Sequence, residues 1–308
     1  MTTPGLLSTI GNTPLVELKR FAPKKGIRIF AKLEGQNPSG SVKDRIVFAM
    51  VEAAERKGLL RPGDTVVEAS SGNTGIALAM VGKQKGYRVC VVLPEVAPSI
   101  GDILALYDVE TVWSGGHGGM RAAIEQAREM ARERGAYFLD QFDREENMLA
   151  HYRTTGPEVL AELPQVDAFV AGIGTGGTIM GVGRRLREAN PNVRIIGVEP
   201  KLGERLQGLR SLEEGYIPPL LDLSLLSGRF IVDSATALET AHEVVRREGI
   251  MAGVSSGATL HVALRLAERM EQGNIVVMFS DGGWKYLPTR PWQAAAEGSA
   301  QLDNVHWW

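Results

Sequence analysis

A lysine at position 43 lies in the segment Asn37-Pro38-Ser39-Gly40-Ser41-Val42-Lys43-Asp44-Arg45, at the threshold of an amphipathic stretch, Arg45–Lys57, that reads as a helix. The positive end of a helix dipole disfavours an ammonium ion, and Arg45 adds positive charge beside it, so the local field favours the neutral amine. Only a neutral amine attacks an aldehyde, which makes Schiff-base chemistry the function such a lysine could serve. A lysine on a solvent-facing helix start is the plainer reading, and the rest of the chain has to decide between them.

Three further segments place small hydroxyl residues and glycines between a strand and a helix. Ser70-Ser71-Gly72-Asn73-Thr74-Gly75 follows the strand candidate Thr65–Ala69, and Gly172-Ile173-Gly174-Thr175-Gly176-Gly177-Thr178 follows Ala168–Ala171. Gly253-Val254-Ser255-Ser256-Gly257 precedes the helical stretch Ala258–Gln272. Each could present backbone N–H groups to an anion at a helix N-terminus, or could be an ordinary side-chain cap. The second also spells G-x-G-x-x-G, and Glu199 ends the next strand about where a dinucleotide fold holds its ribose. A nicotinamide-dependent oxidoreductase is therefore a rival, weakened by the mid-chain position and by the lack of an obvious proton donor for hydride transfer.

These segments need rigid elements behind them. Short runs rich in β-branched residues (Ile29–Leu33, Thr65–Ala69, Arg88–Leu93, Glu110–Trp113, Ala168–Ala171, Val193–Val198, Ile275–Phe279) alternate with helical stretches. The helical stretches are Arg45–Lys57, Ile76–Lys85, Met120–Arg134, Ile179–Ala189, Ala235–Arg247 and Ala258–Gln272. That order predicts an α/β fold with parallel strands covered on both faces, and ligands beyond the carboxyl ends of the strands. Gly58, Gly86 and Gly135 close helices as left-handed caps would. The segment Lys201–Leu226 has no clear period and reads as a long excursion between strands.

With 308 residues, 44% of them hydrophobic, the chain can bury a large core. A formal charge of -2 gives no field that would draw nucleic acid or an acidic membrane. One cysteine, Cys90, in an apolar strand run, excludes an internal disulfide and suits a cytoplasmic protein, and the N-terminus lacks the pattern of a signal peptide. The histidines at 117, 151, 242, 261 and 306 have no metal-ligand spacing and read as surface or core residues, so no metal is expected. The tail Leu302-Asp303-Asn304-Val305-His306-Trp307-Trp308 carries two aromatic residues that should dock on something, with cover for the active-site mouth as one possibility.

Read together, the motifs Ile10-Gly11-Asn12-Thr13-Pro14-Leu15, Asn37 to Arg45, Ser71-Gly72-Asn73-Thr74-Gly75, Thr154-Thr155-Gly156-Pro157-Glu158, Gly174-Thr175-Gly176-Gly177-Thr178 and Ser255-Ser256-Gly257-Ala258 stand in one order and spacing. From Ile10 to Leu287 the chain resembles the cysteine synthase family of tryptophan-synthase-β-like pyridoxal-phosphate enzymes of fold type II. The resemblance implies pyridoxal 5'-phosphate as cofactor, held as a Schiff base by Lys43. Asn73 would bond its ring hydroxyl, the backbone and hydroxyls of Gly174, Thr175, Gly176, Gly177 and Thr178 its phosphate, and Ser255 its pyridine nitrogen. It implies a substrate-carboxylate cradle from Ser70, Ser71, Gly72, Asn73, Thr74 and Gln141, with Lys43 as general base. Loss of the β-substituent would give an aminoacrylate to which a sulfur nucleophile adds, making L-cysteine.

Two departures stand out. Ser70 replaces the usual threonine, and Pro98-Ser99-Ile100-Gly101-Asp102-Ile103-Leu104 lacks a Glu-Arg pair. The segment Gly208 to Pro218 is similar to the B-type branch, some members of which accept O-phosphoserine, and Arg210 could form a fork with that phosphate. The resemblance further implies two α/β domains (1–11 with 37–147, and 12–36 with 148–308), a cofactor cleft and a homodimer. The sulfur donor is left open among sulfide, thiosulfate and a sulfur-carrier protein's thiocarboxylate. Cystathionine β-synthase or serine/threonine dehydratase activity, and a non-catalytic amino-acid-binding relative, are the alternatives.

Overall fold

The computed structural model describes residues 5–94, 98–115, 119–204 and 206–289, so the aromatic tail and two of the five histidines, His117 and His306, fall outside the described residues. The strands are β1 Leu15–Glu17, β2 Ile27–Leu33, β3 Thr65–Ala69, β4 Arg88–Pro94, β5 Glu110–Ser114, β6 Tyr137–Phe138, β7 Ala168–Gly172, β8 Arg194–Pro200, β9 Gly228–Val232 and β10 Gly273–Phe279. The α-helices are α1 Lys43–Arg56, α2 Asn73–Lys85, α3 Pro98–Leu106, α4 Gly119–Arg134, α5 Glu145–Arg153, α6 Thr155–Glu162, α7 Gly177–Ala189, α8 Ser234–Glu248 and α9 Val254–Glu268. They belong to two compact units, one formed by the described residues up to 10 and within 37–147, the other by 11–36 with the described residues from 148 onward.

In the first unit four parallel strands run in the order β5-β4-β3-β6. One face takes Val67, Ala69, Cys90 and Val92 and meets Ala123, Ala127 and Ala131, a stripe at helical spacing on α4. Alanines let the helix backbone approach closely. Cys90 is fully buried there, and burial pushes its thiol up to about 11.

The second unit has six strands in the order β1-β2-β10-β7-β8-β9, all parallel except the β1–β2 pair. Successive residues of β10 serve opposite faces. Ile275, Val277 and Phe279 join a core with α9 residues such as Leu260 and Ala263, whereas Val276 and Met278 join another with Ile179 and Val182 of α7. A strand covered on both sides has no polar alternation to keep, which is why these runs read as continuously apolar.

Several boundaries differ from the sequence reading. Helices α1, α2, α7 and α9 start at Lys43, Asn73, Gly177 and Val254, two to four residues ahead of where hydrophobic period begins. Their first turns are built largely of Gly, Ser, Thr, Asn and Lys, which carry no apolar stripe. Strands β1, β6 and β9 and helices α3, α5 and α6 were not anticipated. Two of these strands are only two or three residues long, and β9 is an edge strand with alternate residues exposed. Lys201–Leu226 is indeed an excursion, running from β8 to β9 with the short 3₁₀ turns Leu212–Glu214 and Leu223–Leu225.

Candidate functional site

In the first unit, Lys43 is the first residue of α1 and is half-buried. The turn before it is fixed by Asp44, whose carboxylate accepts the Ser39 N–H at 2.7 Å and also the Ser39 hydroxyl. Gly40 takes φ +85°, a conformation that glycine adopts without steric cost, and its N–H bonds Asn37 O at 2.8 Å. The Lys43 N–H reaches the Ser41 hydroxyl at 3.3 Å. The Ser39-to-Asp44 contacts thus tie Lys43 into the first turn of a buried helix start, where Asp44 and Arg45 are almost fully covered.

The loop after β3 is organised by Ser70. Its hydroxyl accepts the N–H groups of Gly72 at 3.1 Å and Gly75 at 2.9 Å. That hydroxyl is therefore spent on shaping the loop, whereas Ser71 and Asn73 are half-buried at its outer side. Gln141, distant in sequence, is brought to the same place. It is buried, accepts the Thr74 hydroxyl at 2.8 Å and donates to Ala69 O at 3.3 Å. Ser70, Ser71, Gly72, Asn73, Thr74 and Gln141 form one contiguous group.

In the second unit the glycine turn Gly174–Thr178 leads into α7, with Gly176 at φ +86° immediately before the helix. Gly174 and, at the end of β7, Gly172 answer to packing as well as to any ligand. A Cβ on Gly174 would collide with the Gly208 carbonyl oxygen, and one on Gly172 with Leu209. The segment making those contacts is itself fixed, because Arg210 N–H bonds Ile173 O at 2.7 Å and Leu212 N–H bonds a Glu199 carboxyl oxygen at 2.6 Å. Arg210 is thereby placed beside the turn, its guanidinium 5.2 Å from the Tyr216 ring centroid. Burial lowers that guanidinium from its ordinary value, with Tyr216 and Glu214 opposing the shift.

Ser255 is buried in the first turn of α9, a helix packed on β7 and β10. The start of α9 is tied to the end of β10 by the Gly253 N–H to Asp281 O bond at 3.0 Å. The Tyr286 hydroxyl donates to Asp281 at 2.6 Å, and burial, with Asp281 adding to it, raises Tyr286 well above its ordinary range.

One comparison bears on the choice between caps and anion sites. Helices α2, α7 and α9 each have glycine at the N-cap (Gly72, Gly176 and Gly253), and none has a side-chain hydrogen bond from that position. Helix α8, by contrast, is capped by Asp233, which accepts the Thr236 N–H at 2.8 Å. The N-cap residues of the three motif helices thus lack the device found on α8, although the Ser70 hydroxyl accepts the first-turn Gly75 N–H of α2 and the Thr175 hydroxyl the Gly177 N–H of α7, and the small residues at these starts leave room for an anion. The Gly174–Thr178 turn offers small residues at a helix start, as a phosphate would need, and Ser255 offers a small neutral hydroxyl, as an unprotonated ring nitrogen would need.

Glu199 does not serve a ribose. It is buried, its carboxylate accepting Leu212 N–H and pairing with Arg229 at 2.8 Å, so both oxygens are engaged within the protein. The dinucleotide reading loses its acidic residue.

Sequence reasoning placed His151 only as surface or core. It is fully buried and joins two motifs, with Nδ1 2.9 Å from the Thr155 hydroxyl and Nε2 3.1 Å from that of Thr178. The nearby Thr154–Glu158 motif was the available signal. Glu158 in turn binds the Asn12 N–H at 3.0 Å and the fully buried Lys32 at 2.8 Å, which explains why the motifs near residues 12 and 158 occur together.

The chain matches the family of pyridoxal-phosphate dependent enzymes over residues 6–281. Cysteine synthase of Staphylococcus aureus is 40% identical to it over 291 residues, which is 91% of this chain and 94% of the relative. Cysteine synthase B of Escherichia coli is 41% identical over 286 residues, 92% of this chain and 94% of the relative. Among solved structures, O-ureido-L-serine synthase aligns with a TM-score of 0.91 at 38% identity, covering 97% of this chain and 98% of the other. Cysteine synthase from Entamoeba histolytica aligns at 0.88 with 34% identity, covering 99% and 97%.

Proposed function

Because this chain belongs to the family of pyridoxal-phosphate-dependent enzymes, we propose that it is a cysteine synthase, replacing the β-substituent of an activated serine with sulfur. The glycine turn Gly174–Thr178 at the start of α7, with Thr178 held by buried His151, is the observation that carries this reading. Pyridoxal phosphate, when bound, supplies an aldehyde for a lysine and an electron-withdrawing ring that stabilises negative charge at the substrate α-carbon.

The remaining work falls to side chains and backbone. Lys43 would hold the cofactor and would take and return the substrate α-proton. Gly174, Thr175, Gly176, Gly177 and Thr178 bind the phosphate through main-chain N–H groups and hydroxyls at a helix start. Asn73 holds the ring hydroxyl. Ser255 would serve the ring nitrogen as a neutral partner, which would keep the ring a mild electron sink and favour β-elimination over transamination. Ser71, Gly72, Thr74 and Gln141 receive the substrate carboxylate, with Ser70 holding their loop in shape.

Arg210 is read as the residue that selects a phosphate leaving group, because a half-buried guanidinium beside the glycine turn offers a fork to a dianion. The physiological acceptor is then O-phosphoserine rather than O-acetylserine. A homodimer, cytoplasmic residence and a choice of donor among sulfide, thiosulfate and a carrier-bound thiocarboxylate complete the reading. No helix among the described residues is long and apolar enough to cross a membrane.

The deciding experiment is a donor-by-acceptor activity matrix on purified holoenzyme, with borohydride trapping and peptide mapping alongside. Cysteine formation and a modified Lys43 are expected. An unmodified Lys43, or no cysteine from any pair, would overturn the reading, and Arg210→Ala lowering turnover of both acceptors equally would remove the preference for phosphate.

A further inference from the structure

Glu68 lies on β3 two residues ahead of Ser70, completely buried. Its two carboxyl oxygens have no hydrogen-bond partner, an uncommon condition for a buried acid. What faces it is the turn after β6. The main-chain N–H groups of Asp140 and Gln141 and the Gln141 amide all point favourable dipoles at the carboxyl, though none closes to hydrogen-bond geometry. Burial, with the like charge of Asp140 adding to it, pushes Glu68 up to about 8, so at neutral pH it is a protonated group able both to donate and to accept.

That turn is unusual in its own right. Asp140 takes φ +58°, a left-handed conformation uncommon outside glycine. The turn is tied at its ends by Leu139 N–H to Val67 O at 3.0 Å and Arg144 N–H to Asp140 O at 3.1 Å, and Asn147 donates to Gln141 O at 2.7 Å. Arg128 of α4 approaches the outer Asp140 oxygen at 3.5 Å. Glu68 is the buried acid that faces the Asp140–Gln141 main chain. Removing that carboxyl would take away the polar group facing the Asp140 and Gln141 N–H groups, while the Gln141 amide keeps Thr74 and Ala69 O, and the turn would rotate to regain polar contact.

We propose that Glu68 is a positioning residue for the amino-acid substrate, setting the Asp140–Gln141 turn and through it the place of the Gln141 amide. This rests on the reading of Gln141 as a carboxylate-binding residue. Glu68 itself touches neither substrate nor cofactor.

The test is steady-state kinetics of holoenzyme carrying Glu68→Leu, Glu68→Asp or Glu68→Gln, with the cofactor absorbance recorded for each. Glu68→Leu is expected to raise KM for the activated serine about tenfold, the loss of one buried polar contact, while KM for the sulfur nucleophile and the cofactor band stay in place. Glu68→Asp, which withdraws the carboxyl by one methylene, is expected to raise it severalfold, and Glu68→Gln to recover most of the loss. Should Glu68→Leu fail to fold, Glu68→Asp decides. An unchanged acceptor KM in the folded Leu or Asp variant, or equal losses for acceptor and nucleophile, overturns the proposal. Absence of turnover by the wild-type protein with any activated serine is a different outcome: the functional reading then fails and takes this inference with it.

Discussion

Replacing Glu68 with glutamine should flatten a large part of the protein's pH-dependent stability. The group titrates near 8 in the fold against an ordinary value of 4.5. Below the lower value both folded and unfolded chains carry the proton, and Glu68 contributes no slope. Between the two values the folded chain keeps a proton that the unfolded chain gives up, so stability falls as pH rises, and the loss levels off once the folded group ionises as well. Each pH unit of that gap is worth about 1.4 kcal/mol, so the span from about pH 6 to about pH 9 should cost the wild type about 3 kcal/mol that the glutamine variant does not lose. Full burial of the side chain leaves solvent little part in softening the effect. Asp140 is raised by burial too and adds slope of the same sign, but it does so in both proteins and largely cancels in the comparison. Urea midpoints measured across this range for wild type and Glu68→Gln would supply the difference curve. A curve flat to within about 1 kcal/mol would mean that the carboxyl is solvated or paired, and the reasoning would be wrong.

Gly174→Ala should weaken cofactor binding by about tenfold or more in a spectroscopic titration and destabilise the fold by about 1–3 kcal/mol, because the new methyl group meets a main-chain oxygen of a segment held by the Arg210 and Leu212 N–H bonds. Glu199→Ala strips the partner from Leu212 N–H and Arg229 and should cost about 3 kcal/mol in denaturant unfolding, while fluorescence titration shows no binding of a nicotinamide dinucleotide to either protein. Cys90, buried and with its thiol pushed up to about 11, should resist a thiol reagent at neutral pH in the native protein and react once in urea.

The sheets were legible in the sequence because strands such as Ile275–Phe279 are buried on both faces and carry no polar interruption. The helix starts that matter most were harder to place. Lys43, Asn73, Gly177 and Val254 open their helices with residues that lack apolar period, so pattern alone began those helices late. The motifs compensated, since their small residues mark where a ligand or another backbone must come close. What pattern could not supply was pairing across long stretches of chain: Thr74 with Gln141, His151 with Thr178, Glu199 with Leu212 and Lys32 with Glu158. Each joins residues whose local surroundings say nothing of the partner. The Glu199 case shows the hazard, because an acid at a plausible distance invited a ligand role that its internal contacts exclude.

Strand β2, made by residues 27–33, lies against β10, made by residues 273–279. During synthesis the β1–β2 hairpin must therefore wait, one long side unsatisfied, until almost all the described chain has left the ribosome. The intervening residues 37–147 build a complete unit in that interval, so early collapse can occur there without committing the hairpin. A fragment beginning at Met148 would lack both strands and expose the flank of β10 to any stray edge, which makes aggregation, rather than independent folding, its expected fate.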